Sequence, residues 1–346
     1  MKKLNVAVIG LGWVAEAHII AYNATDNAQV TAVCSTRNPS PAEVEARYGC
    51  PLKVYSTLDQ VLADPTIDLV SICTANMIHP EQTIAALNAG KHVYIEKPVA
   101  LNFEDLKKIR EAVIANPKLK VCVGFELRYC QQVKMLMSIL DQGLIGEVHY
   151  GESDYYHGIG PWYGQFRWSK KADGGGSALL SGGCHAFDAL LKLMGEPVEE
   201  VMCFSTKSKA ECFSEYEFDP CSVTILKFAG GKIGKVAACI DCIQPYYFHC
   251  HLVGSKGSIL DNKLSTTAID GLRKEKWTTM ETILADSGDV LDHPYLPQMQ
   301  AFTNCIIDNK PMPLTSFADA YETHRAIFAA DLSAKLGRPV KMSELL

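Results

Sequence analysis

Short unbroken apolar runs alternate with stretches of helical spacing over the first third of the chain, and this rhythm predicts a parallel sheet. Residues 4–9, 29–34, 69–73, 92–95 and 121–123 are dominated by Val, Ile, Ala and Cys at consecutive positions, the pattern of strands covered on both faces. Helical spacing fills 15–22, 81–89 and 103–115, where Leu106, Ile109, Val113 and Ile114 fall close to one apolar face. Together these describe a doubly wound α/β unit. After Gly124 the rhythm changes. Residues 131–142 read as a helix, and long β-like stretches follow at 147–156, 201–206, 222–228, 232–243 and 247–252 with few helices between them. That run predicts a C-terminal α+β domain built on a large, predominantly antiparallel open sheet. The expected boundary places one domain at 1–123 and a second at 124–346.

The turn after the first run carries chemistry. Gly10-Leu11-Gly12-Trp13-Val14-Ala15 follows the strand pattern at once and opens the first helical stretch. Strand, tight turn and helix in this order make a dinucleotide site: Gly10 permits the turn, Gly12 lets the backbone approach a pyrophosphate, and Ala15 stands where helix and strand pack closely. The helix N-terminus offers N–H groups and a partial positive charge to the phosphates. The second strand leads into Ser35-Thr36-Arg37-Asn38, where an NAD enzyme usually places an acidic residue for the ribose hydroxyls. No carboxylate is present there. Ser35 and Thr36 can hydrogen-bond a 2′-phosphate and Arg37 can neutralise it, which favours NADP over NAD as cofactor.

Composition narrows the class. A chain of 346 residues, 48% hydrophobic, can bury two cores, since single cores rarely grow beyond ~250–300 residues. A net charge of −6 gives no basic footprint, so neither nucleic acid nor an anionic membrane surface is an expected partner. No apolar stretch reaches the roughly 20 residues that span a bilayer, and the run after Lys2-Lys3 is too short for a secretion signal and already serves as the first strand. A cytoplasmic protein is expected. Its thirteen cysteines are scattered and odd in number, and are expected to be reduced and small rather than a disulfide framework. Cys239, Cys242, His249, Cys250 and His251 have metal-ligand chemistry. However, 233–253 reads as two strands turning at Gln244-Pro245, and residues three apart on a strand point to opposite faces. No metal centre is expected.

Glu96-Lys97-Pro98 closes the segment Ala89-Gly90-Lys91-His92-Val93-Tyr94-Ile95 and would deliver Lys97 to the carboxyl edge of the sheet, where open α/β sheets bind ligands. Thr74-Ala75-Asn76 with His79 comes before it, and a glycine-rich segment, Gly174-Gly175-Gly176-Ser177-Ala178-Leu179-Leu180-Ser181-Gly182-Gly183-Cys184-His185-Ala186-Phe187-Asp188, comes after. With Gly10-Leu11-Gly12 at the start, these segments in this order resemble the glucose–fructose oxidoreductase, inositol dehydrogenase and rhizopine catabolism family over essentially the whole chain. The resemblance implies an N-terminal Rossmann domain whose cofactor contacts fall on Gly10, Gly12, Trp13, Val14, Ser35, Thr36, Arg37, Thr74, Asn76, His79, Glu96 and Lys97. It implies a second domain for substrate and oligomer contacts, and a homo-oligomer, dimer or tetramer. In this family a lysine and a histidine face each other across the nicotinamide, and these roles carry to Lys97 and His185. The chain departs from the family at Ser181, where an aspartate often stands four residues before the histidine, and this leaves the usual Lys–Asp–His relay open.

The chemistry is consistent with those roles. Oxidising a secondary alcohol needs a hydride acceptor, which the cofactor supplies, and a base for the hydroxyl proton. An imidazole with an ordinary pKa of ~6.5 can exchange that proton near neutrality, and a lysine ammonium can stabilise the developing alkoxide. The aromatic-rich segment 155–168 suits a sugar, because rings stack on the apolar faces of pyranoses while polar neighbours hold hydroxyls. Arg128, Tyr156, Trp162, Tyr163 and Arg167, with Ser181 and His185, are the expected substrate residues, and His293 and Tyr295 are further candidates. The expected activity is hydride transfer between NAD(P) and a secondary hydroxyl of a sugar, cyclic polyol or glycoside. The alternatives are redox-assisted glycoside cleavage or elimination with a retained nucleotide, and a non-catalytic NAD(P)-sensing binding protein.

Overall fold

The computed structural model describes residues 3–159, 163, 166–286 and 289–345. The chain divides into two compact units, Met1–Glu126 with Val290–Tyr321, and Leu127–Asp289 with Glu322–Leu346. A single boundary after residue 123 has no counterpart for the return of 290–321 to the first unit. That return is tertiary: the Gln298 side chain takes the Tyr94 hydroxyl proton at 2.6 Å and donates to the Val123 carbonyl at 2.8 Å.

In the first unit, β1 (Leu4–Ile9), β2 (Ala28–Cys34), β3 (Lys53–Tyr55), β4 (Leu69–Ile72), β5 (His92–Ile95) and β6 (Val121–Val123) form a parallel sheet ordered β3-β2-β1-β4-β5-β6. Val6, Val8, Leu69, Ile72, Val93 and Ile95 are fully shielded, as continuous apolar runs require in a sheet covered on both faces. Helices α1 (Ala15–Asn23), α2 (Pro41–Tyr48), α3 (Leu58–Leu62), α4 (His79–Asn88) and α5 (Phe103–Ala115) make the crossovers. The expected helix 103–115 is reproduced, with Asn102 as its N-cap accepting from the Asp105 N–H. Helix α4 starts ahead of the expected 81, because Pro80 fits a first turn. Helix α2 was not expected, since it buries a single residue, Val44, and shows little apolar periodicity; its local signal is the Ser40–Glu43 capping box with Pro41 in the first turn. Because all six strands run the same way, their carboxyl ends share one edge. The strand order reverses at β1 and β4, the switch point at which such sheets bind ligands.

In the second unit, α6 (Gln131–Asp141) precedes a nine-stranded sheet. Its strands are β7 (Val148–Tyr156), β8 (Val198–Thr206), β9 (Cys221–Phe228), β10 (Ile233–Cys239), β11 (Tyr247–Gly254), β12 (Gly257–Leu260), β13 (Lys263–Thr266), β14 (Thr278–Thr279) and β15 (Val340–Lys341). The order is β14-β13-β12-β11-β7-β10-β9-β8-β15, antiparallel throughout except for β7 with β10. Strands β10 and β11 are both present, but β7 lies between them, so they are not the hairpin expected at Gln244-Pro245. Helix α7 (Cys184–Met194) covers the face that carries Gly151, Ser153 and Tyr155, where a Cβ on Gly151 would meet Met194 and Leu190. The opposite face carries Glu152, Asp154, Lys235, His249 and Asp261. The remaining helices are α8 (Tyr295–Ile307), in the first unit, and α9 (Phe317–Leu336), which starts in the first unit and continues into the second. No helix among the described residues is long and apolar enough to cross a membrane.

Candidate active site

The carboxyl edge of the parallel sheet gathers most of the expected cofactor residues. Gly10 has φ +90, and a Cβ there would fall 2.7 Å from the Cys73 carbonyl oxygen, so any other residue is both strained and blocked. At Gly12 a Cβ would make only ordinary contact, 3.5 Å from the same oxygen, so the fold itself does not require glycine there. Helix α1 has no side-chain cap among the described residues, which leaves first-turn N–H groups facing the loop of Leu11, Gly12, Trp13 and Val14. An anionic pyrophosphate fits this arrangement.

At the end of β2, the Ser35 N–H bonds the Tyr55 carbonyl at 3.1 Å, and its hydroxyl accepts from the Arg37 N–H at 3.3 Å. Arg37 turns back over the glycine loop, with Nη2 donating to the Leu11 carbonyl at 2.6 Å, while its side chain and Thr36 remain exposed. Beyond β4, Thr74 Oγ1 donates to Gln82 Oε1 at 2.7 Å and Asn76 opens a short 3₁₀ turn. His79 is fully buried, with Nδ1 2.8 Å from the Pro98 carbonyl oxygen and Nε2 3.1 Å from that of Thr74. Burial pushes its pKa down, against the pull of the two carbonyls. Its ring ties the loop after β4 to the loop after β5, so any effect of His79 on a cofactor acts through those loops.

The same division of labour splits Glu96 from Lys97. Glu96 is buried, with Oε1 3.0 Å from His18 Nε2 and Oε2 accepting the Lys97 N–H at 3.2 Å. His18 Nδ1 lies 2.9 Å from Ser71 Oγ, and its ring packs edge-on against Tyr94 at 5.0 Å. The carboxylate therefore fastens helix α1 to the end of β5, and Lys97 follows it half-buried between buried neighbours. His293 and Tyr295 belong to the same unit. Tyr295 lies 4.7 Å from the His18 ring and 5.5 Å from that of His293, whose Nδ1 is 3.1 Å from the buried Glu126 carboxylate. Burial, then the negative charges of Glu96 and Glu126, push the Tyr295 hydroxyl pKa well up.

In the second unit, His185 is buried near the start of α7, which is entered through a π-helical turn, Leu179–Gly183. Turns of this kind recur at functional positions. A Cβ on Gly182 would fall 2.4 Å from the Tyr155 ring, so glycine lets the helix entry settle on β7. His185 stacks on Tyr155 at 6.3 Å, the Tyr155 hydroxyl is 3.0 Å from His157 Nδ1, and Tyr246 packs edge-on against both Tyr155 and His157. Ser181 Oγ donates to the Gly175 carbonyl at 3.0 Å, so its single proton holds the glycine segment.

Two expected substrate residues are placed differently. Tyr156 follows Tyr155 on β7 and so points to the other face of the sheet, where it stacks on Tyr247 at 6.1 Å. Arg128 is buried and forked onto Asp188, Nε to Oδ2 at 2.5 Å and Nη2 to Oδ1 at 2.6 Å, and Thr323 Oγ1 donates to the same carboxylate at 3.0 Å. Tyr163 packs against Phe166 and Trp168 at 6.1 and 6.0 Å, Arg167 is exposed, and Trp162 lies outside the described residues. Tyr155, His157 and Tyr246, which gather beside His185, were not among the selected substrate residues, although Tyr155 and His157 lie in the aromatic-rich segment 155–168. The period-two alternation of β7 sets Tyr155 with Gly151 and Ser153 on one face and Tyr156 on the other, but only packing shows which face is covered.

Of the sequence's metal-ligand group, His249 and His251 lie on one face of β11 and Cys250 on the other. Glu152, Asp154 and His249 do bring ligand atoms together on the face away from α7. The Lys235 ammonium lies among them, 2.7 Å from Glu152 and 2.8 Å from Asp154.

A parallel sheet with a glycine turn and an uncapped helix at its switch point defines a dinucleotide-binding protein. Residues 4–125 match the oxidoreductase family with an NAD-binding Rossmann fold, and residues 133–260 match the GFO/IDH/MocA C-terminal domain. The chain belongs to the GFO/IDH/MocA oxidoreductase family. It is 26% identical over 344 residues to the myo-inositol 2-dehydrogenase of Thermotoga maritima, covering 99% of this chain and 100% of that protein. It is also 26% identical to the D-glucoside 3-dehydrogenase of Escherichia coli, covering 98% of this chain and 97% of the other. Among solved structures, levoglucosan dehydrogenase in complex with NADH matches with a TM-score of 0.86 at 23% identity, over 99% of each chain.

Proposed function

We propose that the protein is a dehydrogenase that moves a hydride between a nicotinamide dinucleotide and a secondary hydroxyl of a cyclic polyol, sugar or glycoside. The observation that carries this reading is Lys97, held by its backbone to a buried carboxylate and left half-buried at the sheet edge that also carries Gly10. The relatives' names, an inositol dehydrogenase and a glucoside dehydrogenase, support the substrate class. When bound, the dinucleotide would supply the hydride acceptor. Lys97 stabilises the developing alkoxide with its ammonium, and His185 takes the hydroxyl proton. Gly12, Trp13 and Val14 receive the pyrophosphate at the start of α1, while Ser35, Thr36 and Arg37 receive the adenosine ribose and admit a 2′-phosphate. In this reading residues 1–123 serve the cofactor and 124–346 the substrate, with Tyr155, His157 and Tyr246 walling the sugar beside His185.

The test is to incubate the purified protein with NAD or NADP and a panel of inositols, glucosides and anhydrosugars while following nicotinamide absorbance. Net reduction with at least one member is expected. Dinucleotide binding without turnover on any member would overturn the reading in favour of a sensor, and product without net reduction in favour of redox-assisted cleavage. For the cofactor, Arg37→Ala is expected to weaken NADP binding roughly ten- to a hundredfold, the worth of a charge-assisted phosphate contact of ~1.5–3 kcal/mol. NAD binding should hardly change. Calorimetric titration of both nucleotides checks this, and equal losses would remove the 2′-phosphate role.

A further inference from the structure

We propose that Cys221 and Cys239 form a reversible redox site, closing to an intramolecular disulfide when a hydroperoxide reaches the strand ends they occupy. Cys221 opens β9 and Cys239 closes β10, and the antiparallel register sets the two directly opposite each other. Residues so paired have Cα atoms ~4.5–5.5 Å apart, inside the ~4.4–6.8 Å that a disulfide accepts. Their sulfurs already approach to 2.9 Å, within mutual hydrogen-bond reach. Both are partly exposed, so a small oxidant can reach them, in contrast to the buried Cys122, Cys203 and Cys250.

The pair is chemically asymmetric. The hydrogen bond from Cys239 pulls the Cys221 thiol pKa down, while the same contact, with burial, pushes that of Cys239 up. The thiolate is the nucleophile in this chemistry, which assigns the attack to Cys221. Its sulfur takes the terminal oxygen of the peroxide, breaking the O–O bond and forming a sulfenic acid, with water leaving when the peroxide is hydrogen peroxide. The Cys239 sulfur then attacks the sulfenic sulfur, an S–S bond forms, and a second water leaves. Overall, two thiols lose two protons and two electrons to one hydrogen peroxide, which becomes two waters. The third nearby thiol is directed elsewhere, since Cys242 Sγ donates to the Cys239 carbonyl at 3.5 Å.

The position is not remote from the aromatic cluster of this unit. The Cys239 carbonyl accepts the His157 N–H at 3.0 Å, and the next carbonyl, of Ile240, accepts that of Ile159 at 3.1 Å. The inference does not depend on the proposed activity. The full-length protein is treated with a stoichiometric amount of hydrogen peroxide, remaining thiols are alkylated, and the digest is mapped by mass spectrometry. The expected result is a Cys221–Cys239 cross-linked peptide lighter by two hydrogens, lost on treatment with dithiothreitol and absent from Cys221→Ser and Cys239→Ser. In Cys239→Ser a sulfenic acid at residue 221 should become trappable by a 1,3-diketone, which keeps the proposal testable if the bridge is never isolated. Exposed Cys212 is the internal reference. If Cys212 oxidises while Cys221 and Cys239 both remain alkylatable, or if a bound metal ion must be chelated away before either thiol reacts, the proposal is overturned.

Discussion

Glu96 and Glu126 in the first unit each face an imidazole, at 3.0 Å from His18 and 3.1 Å from His293, whereas Asp188 in the second is forked by the guanidinium of Arg128. An imidazole can remain at a carboxylate as a neutral hydrogen-bond donor, but a guanidinium is always charged and binds through a planar fork. The first arrangement tolerates loss of charge on one partner, and the second leaves an uncompensated buried ion. The proposed catalytic groups follow the same division. Lys97 is held through its backbone by a carboxylate that also fastens helix α1, while His185 is held by rings and by the close approach of Gly182 to Tyr155.

The largest effect tests whether these differently supported groups serve one reaction. His185→Ala is expected to lower turnover by about 10²–10⁴, the usual worth of a positioned general base. Lys97→Ala should cost about 10²–10³, as when one electrostatic donor is lost. Dinucleotide affinity should change little in either variant. Steady-state kinetics decides it, and a variant within threefold of the parent would return that residue to a structural role.

Next in size is the buried ion itself. Asp188→Ala strands the Arg128 guanidinium and is expected to destabilise the protein by about 3–5 kcal/mol, read as a shift of the urea midpoint. Glu96→Gln keeps an acceptor for the Lys97 N–H and should cost clearly less. Equal losses would erase the distinction between imidazole and guanidinium partners.

Asp331 sharpens the comparison, because its carboxylate accepts from a hydroxyl, Ser177 Oγ at 2.9 Å. Burial raises its pKa to about 7. In the unfolded chain an aspartate titrates at ~3.9, so between those values the folded state binds the extra proton and stability falls as pH rises from about 4 to about 7. Asp331→Asn is expected to flatten that slope and to stabilise the protein at pH 8 by on the order of 1 kcal/mol. Denaturant midpoints of both proteins at several pH values check it, and parallel pH curves would show that the carboxyl is ionised throughout. The smallest effect concerns Ser181. Its hydroxyl proton goes to the Gly175 carbonyl, so Ser181→Ala removes one hydrogen bond of ~1 kcal/mol and should lower turnover by less than about tenfold. A greater loss would assign Ser181 a direct part in proton transfer.

The amino-acid order alone determined what rests on local rules. Buried parallel strands are short apolar runs, a glycine turn joins the first of them to its helix, and 103–115 carries helical spacing, so five of the first sheet's six strands and its nucleotide loop were legible. Five of the second sheet's nine strands, β7 to β11, were legible too, but their order was not. The insertion of β7 between β10 and β11 depends on pairing between distant segments, which periodicity does not encode. Tertiary structure alone decided the partners. It directed Tyr155 rather than Tyr156 towards His185, because adjacent strand residues take opposite faces and only packing under α7 says which face is covered. It paired Arg128 with Asp188, 60 positions away, and brought His293 to Glu126 from the far end of the chain. A charge in a sequence has no partner until the chain folds, and burial makes that partnering obligatory.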